Sequence, residues 1–272
     1  MSPSEYNALQ NNEDRPLFNR AVRGTYPPGS TIKPMLALAG LETGATNLTR
    51  KSICRGYFQL PGNEHRYRDW KPEGHGLIDI REAISQSCDV YFYEVSVDLG
   101  IDAIHDYLDR FGLGTRSGID IGGESKGLVP SREWKRTAFS NRDDQRWYHG
   151  ETVIASIGQG YMLATPIQLA SAAAALATRG IRYEPHLVAA VENPLTGERS
   201  LVAPRRLDDV RAAQSHLCVE ILLVPSPCRQ PDVGSMREIA RHVHVQLELV
   251  VEFIDIDAGY PVGRDAAAIG RF

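Results

Sequence analysis

Lysine stops early in this 272-residue chain: none of the residues after Lys135 is a lysine. Cysteine is scarce as well. The four present, Cys54, Cys88, Cys218 and Cys228, are too few for a disulfide framework, although one or two bridges remain open. No apolar run approaches the ~18 residues that a membrane span needs. The first five residues, MSPSE, are polar and carry no signal-peptide apolar region. There is no excess of basic charge. The formal net charge is −4, and no basic stripe with interleaved aromatics appears, so nucleic acid is not an expected partner. What remains is ordinary globular composition, 42% hydrophobic and 24% charged, in a chain long enough for one large domain or two modest ones.

Against these absences stands the run YPPGSTIKP, residues 26–34. Pro27, Pro28 and Gly29 make a stiff entry that cannot be helix interior. The apolar run that follows predicts a buried helix over 30–43, closed by Gly44. Ser30 then sits at the mouth of that helix, and Pro34 is tolerable because it lies in the first turn. Lys33 is one turn on, so the two side chains share a face. A hydroxyl becomes a nucleophile only when something takes its proton. A lysine amine kept neutral by a dry pocket can do that. The competing reading is plain: Ser30 as a helix cap and Lys33 as a solvated first-turn residue.

The rest of the chain alternates helices with glycine-rich connections. Residues 1–25 read as polar turns, with a loop at 11–14. Residues 50–78 read as a long loop without periodicity, either a lid or a metal-binding insert. Asp79 and Glu82 have capping-box spacing for a helix running to Ser87. Helical runs follow at 90–99 and 101–111, separated by Gly100. Residues 112–150 read as short strands and turns. Thr165, Pro166 and Gln168 open a helix that Gly180 closes. A strand is expected over 183–191. Gly158 and Gly160 are expected to permit tight backbone geometry without a catalytic part. In the tail, 242–249 alternates like a strand, and turns fall at 226–227 and 259–263.

The S-x-x-K pattern, Ser30 to Lys33, belongs to penicillin-binding proteins and serine β-lactamases. The wider run RPLFNRAVRGTYPPGSTIKP resembles class B penicillin-binding proteins, in particular the elongation transpeptidases of the penicillin-binding-protein-2 group. SQSCDVYFYEV resembles that group's S-x-D version of the second motif. The resemblance implies that Ser30 is the nucleophile, Lys33 the base, Ser87 a proton relay and Asp89 the residue that orients the substrate amide. It extends through GIDIGGESKGLVPSREWK and WYHGETVIASIGQGYMLATPIQLA to about Glu198. Residues 1–204 are thus expected to form a partial transpeptidase domain. Residues 205–272 are an unmatched tail, from a frameshift or a fusion, and the start just ahead of the nucleophile suggests a fragment or a mis-started reading frame. The expected fold is α/β (α+β), a helical subdomain beside a sheet, incomplete at its C-terminal strands.

The third motif of the resembling proteins, K-[ST]-G, is absent. Lys126-Gly127 lacks the middle hydroxyl and comes too early. The activity implied is D,D-transpeptidation of peptidoglycan through an acyl-serine, on a D-Ala-D-Ala stem peptide and with β-lactams as mimics. The rivals are a β-lactamase-like hydrolase and a catalytically dead fragment. Location by resemblance is the periplasmic face of the inner membrane, with elongation-complex membrane proteins as partners through regions outside this chain. Cys54, Asp69, His75 and Cys88 are all zinc-ligand types. Their spacing is irregular, and free thiols, a loop aspartate and an exposed histidine are the alternative. The resemblance implies a structural zinc on these four, with Cys54 at a position where aspartate is usual and His65 as a substitute ligand. No cofactor is expected for catalysis.

Overall fold

A computed structural model describes residues 1–210. The expected tail strand at 242–249, the turns at 226–227 and 259–263, Cys218 and Cys228 lie outside the described residues. Helix α1 (Pro3–Gln10) corrects the expectation of turns near the N-terminus. Its signal was legible: Ser2 and Glu5 form a capping box, and Pro3 starts the helix. It buries nothing, which is why hydrophobic periodicity did not reveal it. A short α2 (Arg20–Arg23) follows.

The 3-10 turn Gly29–Ile32 runs directly into α3 (Lys33–Thr43), which Gly44 ends at φ 80°. Every residue of α3 from Lys33 to Gly40 is buried. This helix therefore forms the centre of the core instead of lining one side of it. Gly40 permits the close approach to α5: an added Cβ would come 3.1 Å from Val95 and 2.8 Å from Thr46.

The 50–78 segment is not a featureless loop. It holds β1 (Ser52–Cys54), β2 (Tyr57–Phe58), β3 (Tyr67–Arg68) and β4 (Gly76–Ile78). β1 pairs antiparallel with β4, and β2 with β3. Ladders of two or three residues are too short to print a period of two. Asp79 caps α4 (Ile80–Ser85) as expected, but the helix stops before Ser87. Helix α5 (Asp89–Arg110) is broken at Gly100, whose φ of 73° no helix interior accepts. Val90, Tyr91, Phe92 and Val95 on its first half and Ile101, Ile104 and Leu108 on its second are buried. Each is worth about 1.5–3 kcal/mol of apolar transfer for an aliphatic or aromatic side chain.

Residues 112–150 contain helices where strands were expected: α6 (Arg132–Ala138), α7 (Arg142–Gln145) and the start of α8 (His149–Ala155). Ser131 and Asn141 cap the first two through their side chains. Aromatic packing among Trp134, Phe139 and Tyr161 anchors α6, a contact that joins distant stretches of sequence. Helix α9 (Pro166–Ala177) has the expected Thr165–Gln168 capping box. The strand expected over 183–191 is confined to β5 (Ala190–Glu192), paired with β6 (Arg199–Leu201), while Tyr183 makes a single bridge to Arg206. The class is mixed helix and sheet. Among the described residues, each ladder has two strands.

Candidate active site

Ser30 lies half-buried in the 3-10 turn, and Lys33 begins α3. Lys33 is only 2% exposed. An ammonium this deep needs a compensating charge. Asp89, the first residue of α5, supplies it: Lys33 Nζ lies 2.6 Å from Asp89 Oδ1. The same nitrogen donates to the Ser87 carbonyl at 2.7 Å and to Ser87 Oγ at 3.1 Å. Ser87 Oγ donates to Ser30 Oγ at 3.0 Å. The four motif residues are therefore one hydrogen-bonded group. The dry pocket was expected; the carboxylate inside it, and a link from Lys33 to Ser30 that runs through Ser87, were not.

Ser87 carries backbone strain. Its φ is +53°, in the left-handed region that non-glycine residues avoid. The turn between α4 and α5 enforces this, with Cys88 N–H donating to Ala83 O and Ser87 N–H to Ile84 O. The result is a hydroxyl presented to both Ser30 and Lys33.

A second cluster adjoins the same turn, through Cys88 and the Asp89 amide. Ligand atoms of Cys54, Asp69, His75 and Cys88 all lie within 4.8 Å of one another. Strand β1 brings Cys54, the antiparallel β4 follows His75, and Cys88 precedes α5. Asp69 Oδ2 is 3.5 Å from Cys54 Sγ and 3.3 Å from Cys88 Sγ, and His75 Nδ1 is 3.5 Å from both Cys54 Sγ and Asp69 Oδ1. His65 stands outside the group, its ring against Tyr67 at 4.6 Å. His75 Nε2 is buried with no hydrogen-bond partner among the described residues.

Asp69 does a second job that local sequence gave no sign of. Its Oδ2 also accepts from Asp89 N–H at 2.9 Å and Val90 N–H at 3.2 Å, capping α5 from 20 residues away. Cys88, the residue at the cap position, makes no side-chain cap bond. Burial pushes the Asp69 carboxyl up. The Lys71 and Val90 amides, the Cys88 thiol and the His75 ring outweigh it and hold the group below its ordinary range. Burial pushes the Cys88 thiol far up, and the neighbouring Asp69 carboxylate adds to that.

The penicillin binding protein transpeptidase domain family matches residues 2–216. The chain belongs to this family. Peptidoglycan D,D-transpeptidase MrdA of Acinetobacter baumannii is 47% identical over 187 residues, covering 68% of this chain and 27% of that protein. The Escherichia coli K12 protein of the same name is 43% identical over 188 residues, 69% of this chain and 29% of that protein. The chain thus spans under a third of these curated relatives. A crystal structure of Pseudomonas aeruginosa PBP2 in complex with WCK 5153 superposes with TM-score 0.71 at 42% identity, over 81% of this chain and 48% of that one. Helicobacter pylori PBP2, solved in complex with MreC, gives TM-score 0.68 at 29% identity over 82% of this chain and 38% of that one. No described helix is long and apolar enough to cross a membrane.

Proposed function

We propose that this chain carries the acyl-serine half-site of a peptidoglycan D,D-transpeptidase. The observation that supports it is the relay from Ser30 Oγ through Ser87 Oγ to Lys33 Nζ, in steps of 3.0 and 3.1 Å. To act as the base Lys33 must first give up one proton; as the amine it keeps two N–H donors and one lone pair. The donors suit the Ser87 carbonyl and Asp89, and the lone pair suits the Ser87 hydroxyl. Ser30 Oγ attacks the carbonyl of the penultimate D-Ala. Its proton passes to Ser87 Oγ, and the Ser87 proton passes to Lys33. The relay then runs backwards, Ser87 protonates the departing D-Ala amine, and Ser30 holds the acyl group until an acceptor amine releases it. Asp89 keeps Lys33 oriented throughout.

The sequence has no K-[ST]-G, so the lysine with which that motif would meet the substrate carboxylate is not in this chain. Removing one oxyanion donor costs about 2.7–4 kcal/mol in other acyl-transfer enzymes. Acylation is expected to be slow. Intact-mass measurement after incubation with a β-lactam tests the reading. A single adduct that disappears in Ser30→Ala supports it, and a folded chain without an adduct sinks it. By analogy with MrdA and PBP2, the domain would act at the periplasmic face of the inner membrane in cell-wall elongation, with a MreC-like partner.

A structural zinc is the second part of the proposal. Cys54, Asp69, His75 and Cys88 fit it: two thiols, an imidazole and a carboxylate are a zinc donor set, they are mutually within ligand reach, and His75 turns Nδ1 toward the other three. The ion would supply charge that lets both buried thiols ionise. Cys88 lies between Ser87 and Asp89, so these four residues would pin the relay turn to β1 and β4. Metal content of the purified chain, and its loss in Cys54→Ser, checks this.

A further inference from the structure

The nucleophile turn is gripped from outside by a segment that belongs to neither motif. Gly29 N–H donates to Gly158 O at 3.0 Å. Both glycines have positive φ, +58° at Gly29 and +69° at Gly158. A Cβ on Gly158 would sit 2.2 Å from Gly29 O and 2.5 Å from Gly29 N, closer than any side chain tolerates. Three residues earlier, Tyr26 and Ala164 exchange both backbone hydrogen bonds, at 2.9 and 2.8 Å. The turn carrying Ser30 is therefore docked at two points on residues 158–164.

That docking segment has its own anchor. Lys135, on α6, is 3% exposed and takes no part in the relay. It pairs with Glu151 at the start of α8 and donates to Arg146 O at 2.7 Å. Four rings surround its Nζ: Phe139 at 5.9 Å, Trp147 at 5.7 Å, Tyr148 at 5.2 Å and Tyr161 at 5.9 Å. Glu151 also caps α8 by accepting from Tyr148 N–H at 2.8 Å. The far end of α8 leads into the brace, with Gly158 N–H on Ala155 O. Tyr161 lies three residues beyond Gly158 and packs at an angle against Trp134 and Phe139. Lys135 thus holds the brace from both sides, through Glu151 before it and Tyr161 after it.

We infer that Gly158 and Lys135 are positioning residues for acylation: Gly158 fixes the Ser30 turn by direct backbone contact, and Lys135 fixes Gly158. The inference rests on Ser30 being the nucleophile. A free turn at Ser30 would move its hydroxyl relative to Ser87, and a misplacement near 1 Å is enough to cost about 10²-fold in rate.

The experiment compares Gly158→Ala, Lys135→Met and Gly44→Ala in the full chain. Gly44 is a matched control: its φ is +80°, but an added Cβ meets nothing within 4 Å. Three readouts are taken, hydrogen exchange over residues 26–32, the rate of β-lactam adduct formation, and the melting temperature. Gly158→Ala should speed exchange at the Gly29 amide and slow adduct formation about 10²-fold. Lys135→Met should do both to a lesser degree, and Lys135→Arg should recover part of the loss. Gly44→Ala should lower the melting temperature and change neither of the others. Folded Gly158→Ala or Lys135→Met with wild-type exchange and adduct rate overturns the inference. If wild type forms no adduct, the Ser30 reading fails while the exchange arm still decides the brace. Should the variants not fold, wild type alone decides: fast exchange at Gly29 overturns the inference, and protection equal to that of the core of α3 supports it.

Discussion

Two buried polar clusters share the run Ser87, Cys88, Asp89 and are satisfied in opposite ways. The Lys33 cluster is complete in itself. Its ammonium has three acceptors at 2.6, 2.7 and 3.1 Å, and its carboxylate uses both oxygens, the second on Trp70 N–H at 3.2 Å. The Cys54 cluster has longer contacts, 3.3–3.5 Å between side chains, and leaves His75 Nε2 without a partner among the described residues. A charge pair closes the first cluster, because opposite charges in a dry pocket compensate each other. The second collects donors of one electronic kind, which repel unless a cation or protons intervene. The first cluster suits proton movement and the second suits rigid scaffolding, and the shared turn ties one to the other.

The largest effect that separates them should come from Lys33→Met. It strands Asp89 as a buried, uncompensated carboxylate and should cost about 3–5 kcal/mol in denaturant unfolding. Adding Asp89→Asn should return much of that loss, and two independent, additive costs would contradict a self-closed pair. Chelation comes next. Removing metal held at 100 times its Kd should cost about 2.7 kcal/mol, read as a lower melting temperature in wild type but not in Cys54→Ser. Asp69→Asn probes the joint between the clusters. It removes a charged cap from the Asp89 and Val90 amides, worth about 1–3 kcal/mol, and should reduce both metal content and adduct rate. If only metal content falls, the two clusters are not mechanically linked.

The smallest effect should lie outside both clusters. Amides of Leu187 and Val188 hold the exposed Asp120 carboxyl below its ordinary value. A depressed folded pKa stabilises above the unfolded value and is lost as pH falls through the folded one. Local hydrogen exchange at residues 187–188 should therefore rise at acid pH, below the usual carboxylate range. Asp120→Asn should flatten that dependence.

Local signals carried much of the fold. Proline at the start of α3 and α9, glycine at the end of α3, and the Asp79–Glu82 and Thr165–Gln168 boxes all act within one helical turn, so they can be read in order along the chain. The same grammar marks α1 and α6, where Ser2 and Ser131 stand as caps, but those helices have no clear apolar face to confirm it in the sequence. The two-residue ladders of 50–78 had no pattern to show. In the site, the S-x-x-K spacing pointed to Ser30 and Lys33, the resemblance to penicillin-binding proteins added Ser87 and Asp89, and the structure brings all four together.

By itself, the sequence determined which groups are available: a serine one turn from a lysine, a second serine ahead of an aspartate, four zinc-type donors, and no lysine after Lys135. Covalent order fixes such inventories and the local turns that present them. Only the tertiary structure decided who meets whom. It put Asp89 against Lys33, routed that lysine to Ser30 through a strained Ser87, gave α5 its cap from Asp69, and pressed Gly158 onto Gly29. Each of these pairs is distant in sequence. Their approach depends on burying α3 and α5 against each other, and no local propensity encodes that packing.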